Sequence, residues 1–158
     1  MGVAGSGKTT VGTLLAQRLS VPFADADAFH SPANVALMSS GTPLTDDDRG
    51  PWLASIAAWL AECSESGCVT TCSALRRSYR DVLRAEAPDV CFVYLAGSPE
   101  LIAARVSDRA DHFMPAALVE SQFAALEPPA PDEGVLEIDA SLPPDEIVAV
   151  VAAAARRR

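Results

Sequence analysis

At 158 residues with a net charge of −9 and a sequence pI near 4.5, the chain argues against a nucleic-acid surface; its one basic run, Arg156 to Arg158, reads as cations closing a C-terminal helix. The 49% apolar content is enough for one core, so a single domain over 1–158 is expected, and no apolar run approaches the roughly eighteen residues of a membrane span. Cys63, Cys68, Cys72 and Cys91 show no Cys-x-x-Cys spacing and no signal peptide precedes them, so the expectation is a cytoplasmic protein with reduced thiols, no zinc site, and neither nucleic acid nor membrane as partner.

The strongest pattern comes first. Gly2 to Thr9 reads Gly-Val-Ala-Gly-Ser-Gly-Lys-Thr, a glycine and four free positions before Gly-Lys-Thr, which is the phosphate-loop pattern. Glycines let successive N–H groups turn inward around a phosphate oxygen, and the helix that follows adds its positive end. Lys8, the only lysine among the twelve basic residues, can reach the terminal phosphates, and Thr9 can offer its hydroxyl to Mg²⁺. Gly2, Val3, Ala4, Gly5, Ser6, Gly7, Lys8, Thr9 and Thr10 are therefore the candidate ATP-holding residues. Such a loop normally follows the buried central strand of a parallel sheet. Met1 stands where that strand should be, so the first strand is expected to be missing from this chain, with a start codon upstream.

The spacing of Val11, Leu14, Leu15 and Leu19 predicts a helix over 9–19. A short strand over 21–24 follows and delivers Asp25 and Asp27 to its C-terminal end, where sites gather in open parallel sheets. If the strand continues, the two carboxylates share a face, so that one could order Mg²⁺ waters and the other accept a hydroxyl proton, with Asp25 a metal candidate beside Thr9. A short helix is expected over 33–38 and a longer one opening at Pro51, with Asp46, Asp47 and Asp48 as acidic capping before it. Arg49 is left over by that reading, since a cation at a helix start needs an anion to meet.

Strands are expected over 68–72, 90–95 and 135–138, and helices from after Ser73 to Glu86, from Pro99 through Arg105, over 116–126 and over 144–155. Strands alternating with helices mean a parallel α/β sheet. Arg76, Arg80 and Arg84 recur every four residues, so they are expected on one helix face as an anion-attracting cluster. Arg105 and Arg109 flank a polar stretch continuing to His112, which suggests an arginine-bearing lid over about 105–116.

Taken together, the stretches 2–9, Asp-Ala-Asp-Ala-Phe-His at 25–30, the run from Met38 to Leu53 with Asp-Asp-Asp-Arg-Gly-Pro-Trp, the run from Cys72 to Arg84, Asp-His-Phe-Met at 111–114 and 121–129 resemble the gluconokinases of the thermoresistant kind, in the shikimate-kinase and nucleoside-monophosphate-kinase branch of P-loop proteins. The resemblance implies a three-layer α/β fold with five parallel strands in order 2-3-1-4-5, and ATP-dependent phosphorylation of gluconate with Mg²⁺. It implies Asp27 as base toward the 6-hydroxyl, His30, Arg49 and Arg80 on the sugar acid, and Arg105 and Arg109 as lid arginines. Lys8, Asp27 and Arg109 would be the catalytic set, and Ser73 and His112 further acceptor contacts. Family members are often dimers, so a homodimer is a further expectation. Leu37 and Arg76 stand where the family usually carries lysines. Another small-acid or nucleotide kinase of the same branch, or a nucleotide-binding protein without catalysis, are the alternatives.

Overall fold

The computed structural model describes residues 1–107 and 116–156, so Arg109, His112 and most of the expected lid lie outside the described residues. In chain order these form α1 (Lys8–Leu19), β1 (Phe23–Asp25), a 3-10 turn (Ala26–Phe29), α2 (Pro32–Ser39), α3 (Asp46–Glu62), β2 (Val69–Thr71), α4 (Arg77–Glu86), β3 (Val93–Ala96), α5 (Pro99–Ser107), α6 (Ala116–Ala125), a second 3-10 turn (Pro131–Glu133), β4 (Leu136–Asp139) and α7 (Pro144–Ala155).

The strands pair in parallel as two pieces, β1 with β2 from Phe23↔Val69 to Asp25↔Thr71, and β3 with β4 from Val93↔Leu136 to Ala96↔Asp139. Met1 and Gly2 lie between them. The Met1 amino group donates to the Val93 carbonyl, Leu95 N–H donates to the Met1 carbonyl at 3.0 Å, and Gly2 N–H donates to the Ser73 carbonyl at 3.1 Å. The order across the molecule is therefore β1, β2, Met1–Gly2, β3, β4. This is the expected 2-3-1-4-5 order, with Met1–Gly2 in the central place.

Strand residues divide by parity, as a period of two requires. Val69, Val93, Leu95, Leu136 and Ile138 pack with Val11 and Leu15 of α1 and Ile147, Val148 and Val151 of α7. Cys68, Cys72, Phe92 and Val135 pack instead with Trp52, Leu53, Ile56 and Leu60 of α3 and Leu83 of α4. Helices thus cover both faces, giving the three-layer α/β fold. Ile56, fully buried in the second layer, contributes roughly 1.5–3 kcal/mol of apolar transfer.

Two local readings change. The 25–30 segment is not a continued strand: Asp25 ends β1 and caps the 3-10 turn, its Oδ1 accepting the Asp27 N–H at 3.1 Å. Asp25 and Asp27 therefore do not alternate on one strand face; the Asx-type bond turns the chain between them. Helix α3 begins one turn before Pro51, because Thr45 and Asp48 form a reciprocal capping box, Asp48 N–H to Thr45 Oγ1 at 3.2 Å and Thr45 N–H to Asp48 Oδ2 at 2.8 Å. Pro51 sits inside the helix, where its missing N–H leaves one bond to the carbonyl four residues back unmade.

Candidate active site

The phosphate loop runs from the sheet gap into α1. Gly2, Gly5 and Gly7 hold φ of 140°, 83° and 95°, in the region that favours glycine, and Gly7 is the N-cap of α1. A Cβ on Gly5 would meet Val106 Cγ2 at 2.8 Å, so the loop is pressed against α5. The Gly2 N–H is taken by Ser73 and the Ala4 N–H by Gln122 Oε1 at 2.6 Å. Val3 is buried at 2% exposure and its carbonyl accepts from Lys8 Nζ at 2.9 Å. Gly2, Val3 and Ala4, expected among the ATP-holding residues, thus anchor the loop through groups already bonded to protein. The expected nest over Gly2–Thr10 therefore includes N–H groups bonded within the protein, among them Ser6 N–H to the Val3 carbonyl at 3.3 Å.

That nest suits a nucleotide. Ser6 is 1% exposed and its hydroxyl is buried without a hydrogen-bond partner among the described residues, an orphaned polar atom in the loop itself. Beside it opens a cavity of about 200 Å³ lined by Gly5, Ser6, Gly7, Thr10, Arg105 and Leu142, among others. Arg105, from the last turn of α5, spans its mouth, donating from Nη2 to the Ala140 carbonyl at 2.7 Å and from Nη1 to the Ser6 carbonyl at 3.5 Å. Arg105 therefore stands against the loop.

Thr9 Oγ1 donates to Asp25 Oδ2 at 2.9 Å, which joins the two candidate metal ligands. A hydroxyl and a carboxylate form an oxygen-only pair that fits Mg²⁺, a cation that binds few protein groups and keeps waters and phosphate oxygens for the rest of its shell. Among the described residues no cluster of three or more His, Cys, Asp or Glu offers an all-protein cage. The other Asp25 oxygen holds Asp27, whose carboxylate is exposed at the rim. Trp52 secures the same turn from below, its Nε1–H donating to the Ala26 carbonyl at 2.7 Å.

His30 follows the turn and stacks on Trp52, ring centroids 4.5 Å apart and planes within 7°. Its Nδ1 is buried with no hydrogen-bond partner among the described residues. Burial pulls the imidazole below its ordinary pKa, with Asp27 opposing and Arg49 assisting, so His30 lies within reach of both charges. Arg49 Nη1 donates to Tyr79 Oη at 3.4 Å and lies 3.6 Å from Asp46. The anion that Arg49 requires at a helix start is thus Asp46, within the protein.

The expected arginine face on α4 is divided. Arg80 is 0% exposed: Nε and Nη2 donate to Glu133 at 2.6 and 2.8 Å, and Nη1 to the carbonyls of Ala74, Leu75 and Glu127. The guanidinium is sealed from solvent and closes on Glu133 and on the carbonyls around the turn after β2, so Arg80 is corrected from acceptor binding to fixing that turn, where Ala74 holds a φ of 43°. Arg84 joins the same carboxylate at 3.4 Å and lies over Phe92. Those bonds hold the Glu133 carboxyl down at about 2, chiefly through Arg80 and against its burial. Arg76, the N-cap of α4, points elsewhere and meets Asp46. Asp81 pairs loosely with Arg77 and Arg84, as its spacing predicts.

The structure therefore brings Lys8, Thr9, Asp25, Asp27 and Arg105 to the loop and His30 and Arg49 to the adjoining rim, with Ser73 reaching the loop through its carbonyl. Sequence reading missed Trp52, Tyr79, Asp46 and Gln122. The Thr-Asp-Asp-Asp capping pattern was a signal for the true start of α3 and hence for Asp46. No local pattern marks Gln122.

The shikimate kinase family matches the chain over residues 4–127. A gluconokinase from Gluconobacter oxydans is 49% identical over 150 residues, covering 94% of this chain and 84% of the relative. The thermosensitive gluconokinase of Escherichia coli is 48% identical, covering 88% and 76%. Among solved structures, a gluconokinase from Sinorhizobium meliloti superimposes with a TM-score of 0.90 at 46% identity, covering 99% of this chain and 89% of that one.

Proposed function

The chain belongs to the gluconokinases of the shikimate-kinase group of P-loop proteins, and from that membership and its site we propose that it transfers the γ-phosphoryl group of ATP to the 6-hydroxyl of D-gluconate, giving 6-phospho-D-gluconate. The observation that carries the reading is the continuous series Thr9–Asp25–Asp27 at the end of β1, which sets a carboxylate rim directly beside the phosphate loop.

Phosphoryl transfer is mostly positioning and charge stabilisation. The 6-hydroxyl oxygen forms the new bond to the γ-phosphorus as the bond to the bridging oxygen of ADP breaks, and the hydroxyl proton passes to the Asp27 carboxylate. Asp25 orients Asp27 through the amide bond, and Trp52 fixes the turn that carries both. Lys8 and Arg105 supply positive charge at the loop, with Arg109 in the same role from the lid. Mg²⁺, held by Thr9 and Asp25, would neutralise the phosphate oxygens. His30 and Arg49 hold the acceptor against the rim and Ser73 borders it after the end of β2, with His112, outside the described residues, as a further acceptor contact.

A coupled ADP-release assay tests this. Wild type should turn over gluconate in preference to shikimate or nucleoside monophosphates. Asp27→Asn should lower kcat by roughly 10²–10⁴-fold with ATP binding kept. Turnover of shikimate or a nucleotide with none of gluconate would remove the acceptor assignment; near-normal turnover by the variant would remove Asp27 as base.

A further inference from the structure

The rim beyond Arg49 holds a group of side chains that the transfer step does not use. Asp46, the first residue of α3, accepts from Tyr79 Oη at 2.6 Å with Oδ1 and from Arg76 Nη1 at 2.8 Å with Oδ2. Arg49 and Arg76 flank the Tyr79 ring, their guanidinium carbons 5.9 and 5.7 Å from its centroid. Two cations and a phenol thus converge on one carboxylate, leaving one positive charge unmatched within the group. Unlike sealed Arg80, this group is open, with side-chain exposures of 31% for Arg49, 40% for Arg76 and 60% for Asp46.

Adjacency orders the rim. His30 N–H donates to the Asp27 carbonyl at 3.3 Å and the His30 ring stacks on Trp52 of α3, the helix that carries Arg49; Arg49 bonds Tyr79, and the Tyr79 ring meets Arg76. An acceptor whose terminal hydroxyl meets Asp27 and whose chain passes His30 brings its opposite end to Arg49, Tyr79 and Arg76. In an aldonic acid that end is a carboxylate, the chemistry these three already hold.

We propose that Arg76 and Tyr79 form, with Arg49, the carboxylate-binding end of the acceptor site, and that Asp46 is an internal carboxylate which the acceptor's own carboxylate displaces. The proposal rests on the gluconate reading above and extends it to residues that reading leaves out. Displacement leaves α3 intact, since its start is held by the Thr45–Asp48 box and not by Asp46. It also makes the site selective: an uncharged polyol cannot replace Asp46 and meets a rim already closed on itself. An acid exchanges one carboxylate for another, so the two arginines never lose their anion.

The test compares gluconate with glucitol, the polyol of the same carbon count, as ligands in calorimetry on the full chain, with kcat from ADP release. Arg76→Ala should weaken gluconate binding by roughly ten- to hundredfold, as expected for a lost charge-assisted bond, with kcat and the KM for ATP held and glucitol binding unchanged. Arg76→Lys should restore part of the loss. Asp46→Asn should tighten gluconate severalfold. Equal weakening of acid and polyol by Arg76→Ala, or unchanged gluconate binding, overturns the subsite while leaving the kinase assignment in place. Weaker gluconate binding in Asp46→Asn overturns the displacement. A wild-type protein that neither binds nor turns over gluconate overturns the function and this inference together.

Discussion

At the phosphate end Gly2, Gly5 and Gly7 hold positive φ within one stretch of chain, whereas at the proposed acceptor end Asp27, His30, Arg49 and Arg76 arrive from a 3-10 turn, its flank, α3 and the cap of α4. The first end is built largely from backbone, with glycines where a Cβ would intrude and with Lys8 and Thr9 following directly in the same stretch. The second is built from side chains whose positions depend on how helices pack. Contiguous sequence therefore specifies the phosphate end almost completely, while the acceptor end exists only once the tertiary structure does.

The sharpest way to break that contrast is to attack the packing that builds the acceptor side. Glu133→Ala strands Arg80 as a buried unpaired cation and should cost about 3–5 kcal/mol, read from the urea midpoint. Replacing both partners, Arg80→Met with Glu133→Leu, should cost less than Glu133→Ala alone. Unchanged stability in the single variant would mean that the turn after β2 does not depend on this pair. The pH dependence has a definite sign: the folded-state carboxyl sits at about 2 against an ordinary 4.5, so its contribution is full above 4.5 and drains as pH falls toward 2.

Next in size is the backbone end. Gly5→Ala meets both an unfavourable φ of 83° and Val106 at 2.8 Å, and should cost about 1–3 kcal/mol while raising the KM for ATP. The KM for gluconate should stay near wild type; a change in acceptor KM alone would contradict the separation of the ends. Smallest is Trp52→Phe, which keeps the ring but removes the bond to the Ala26 carbonyl. About 1 kcal/mol of stability should go, with a few-fold fall in kcat on gluconate and ATP binding unaffected.

The same division explains what could be read in advance. Strand and helix order, the loop and the position of Asp25 followed from local patterns, because periodicity and glycine spacing are local properties. The fate of Arg80 did not: Arg76, Arg80 and Arg84 look alike at four-residue spacing, and only Glu133, some fifty residues on, separates a buried arginine from an exposed one. Asp25 and Asp27 were placed at the right edge but in the wrong local geometry, since a side-chain cap ended the strand between them. Gln122 was invisible, because its acceptor role toward Ala4 depends on where α6 docks.

Asp25 carries a consequence for redesign. One of its oxygens faces Thr9 and the other fixes Asp27, so in the proposed mechanism cation placement and proton acceptance share a single mechanical mount. Altering acceptor scope near that mount would detune the chemistry along with the selectivity. Asp46, Tyr79 and Arg76 hang on α3 and α4 instead, which makes them the interchangeable fitting: a library confined to those three positions can retarget the enzyme to other chain lengths or end groups while the transfer step keeps its alignment.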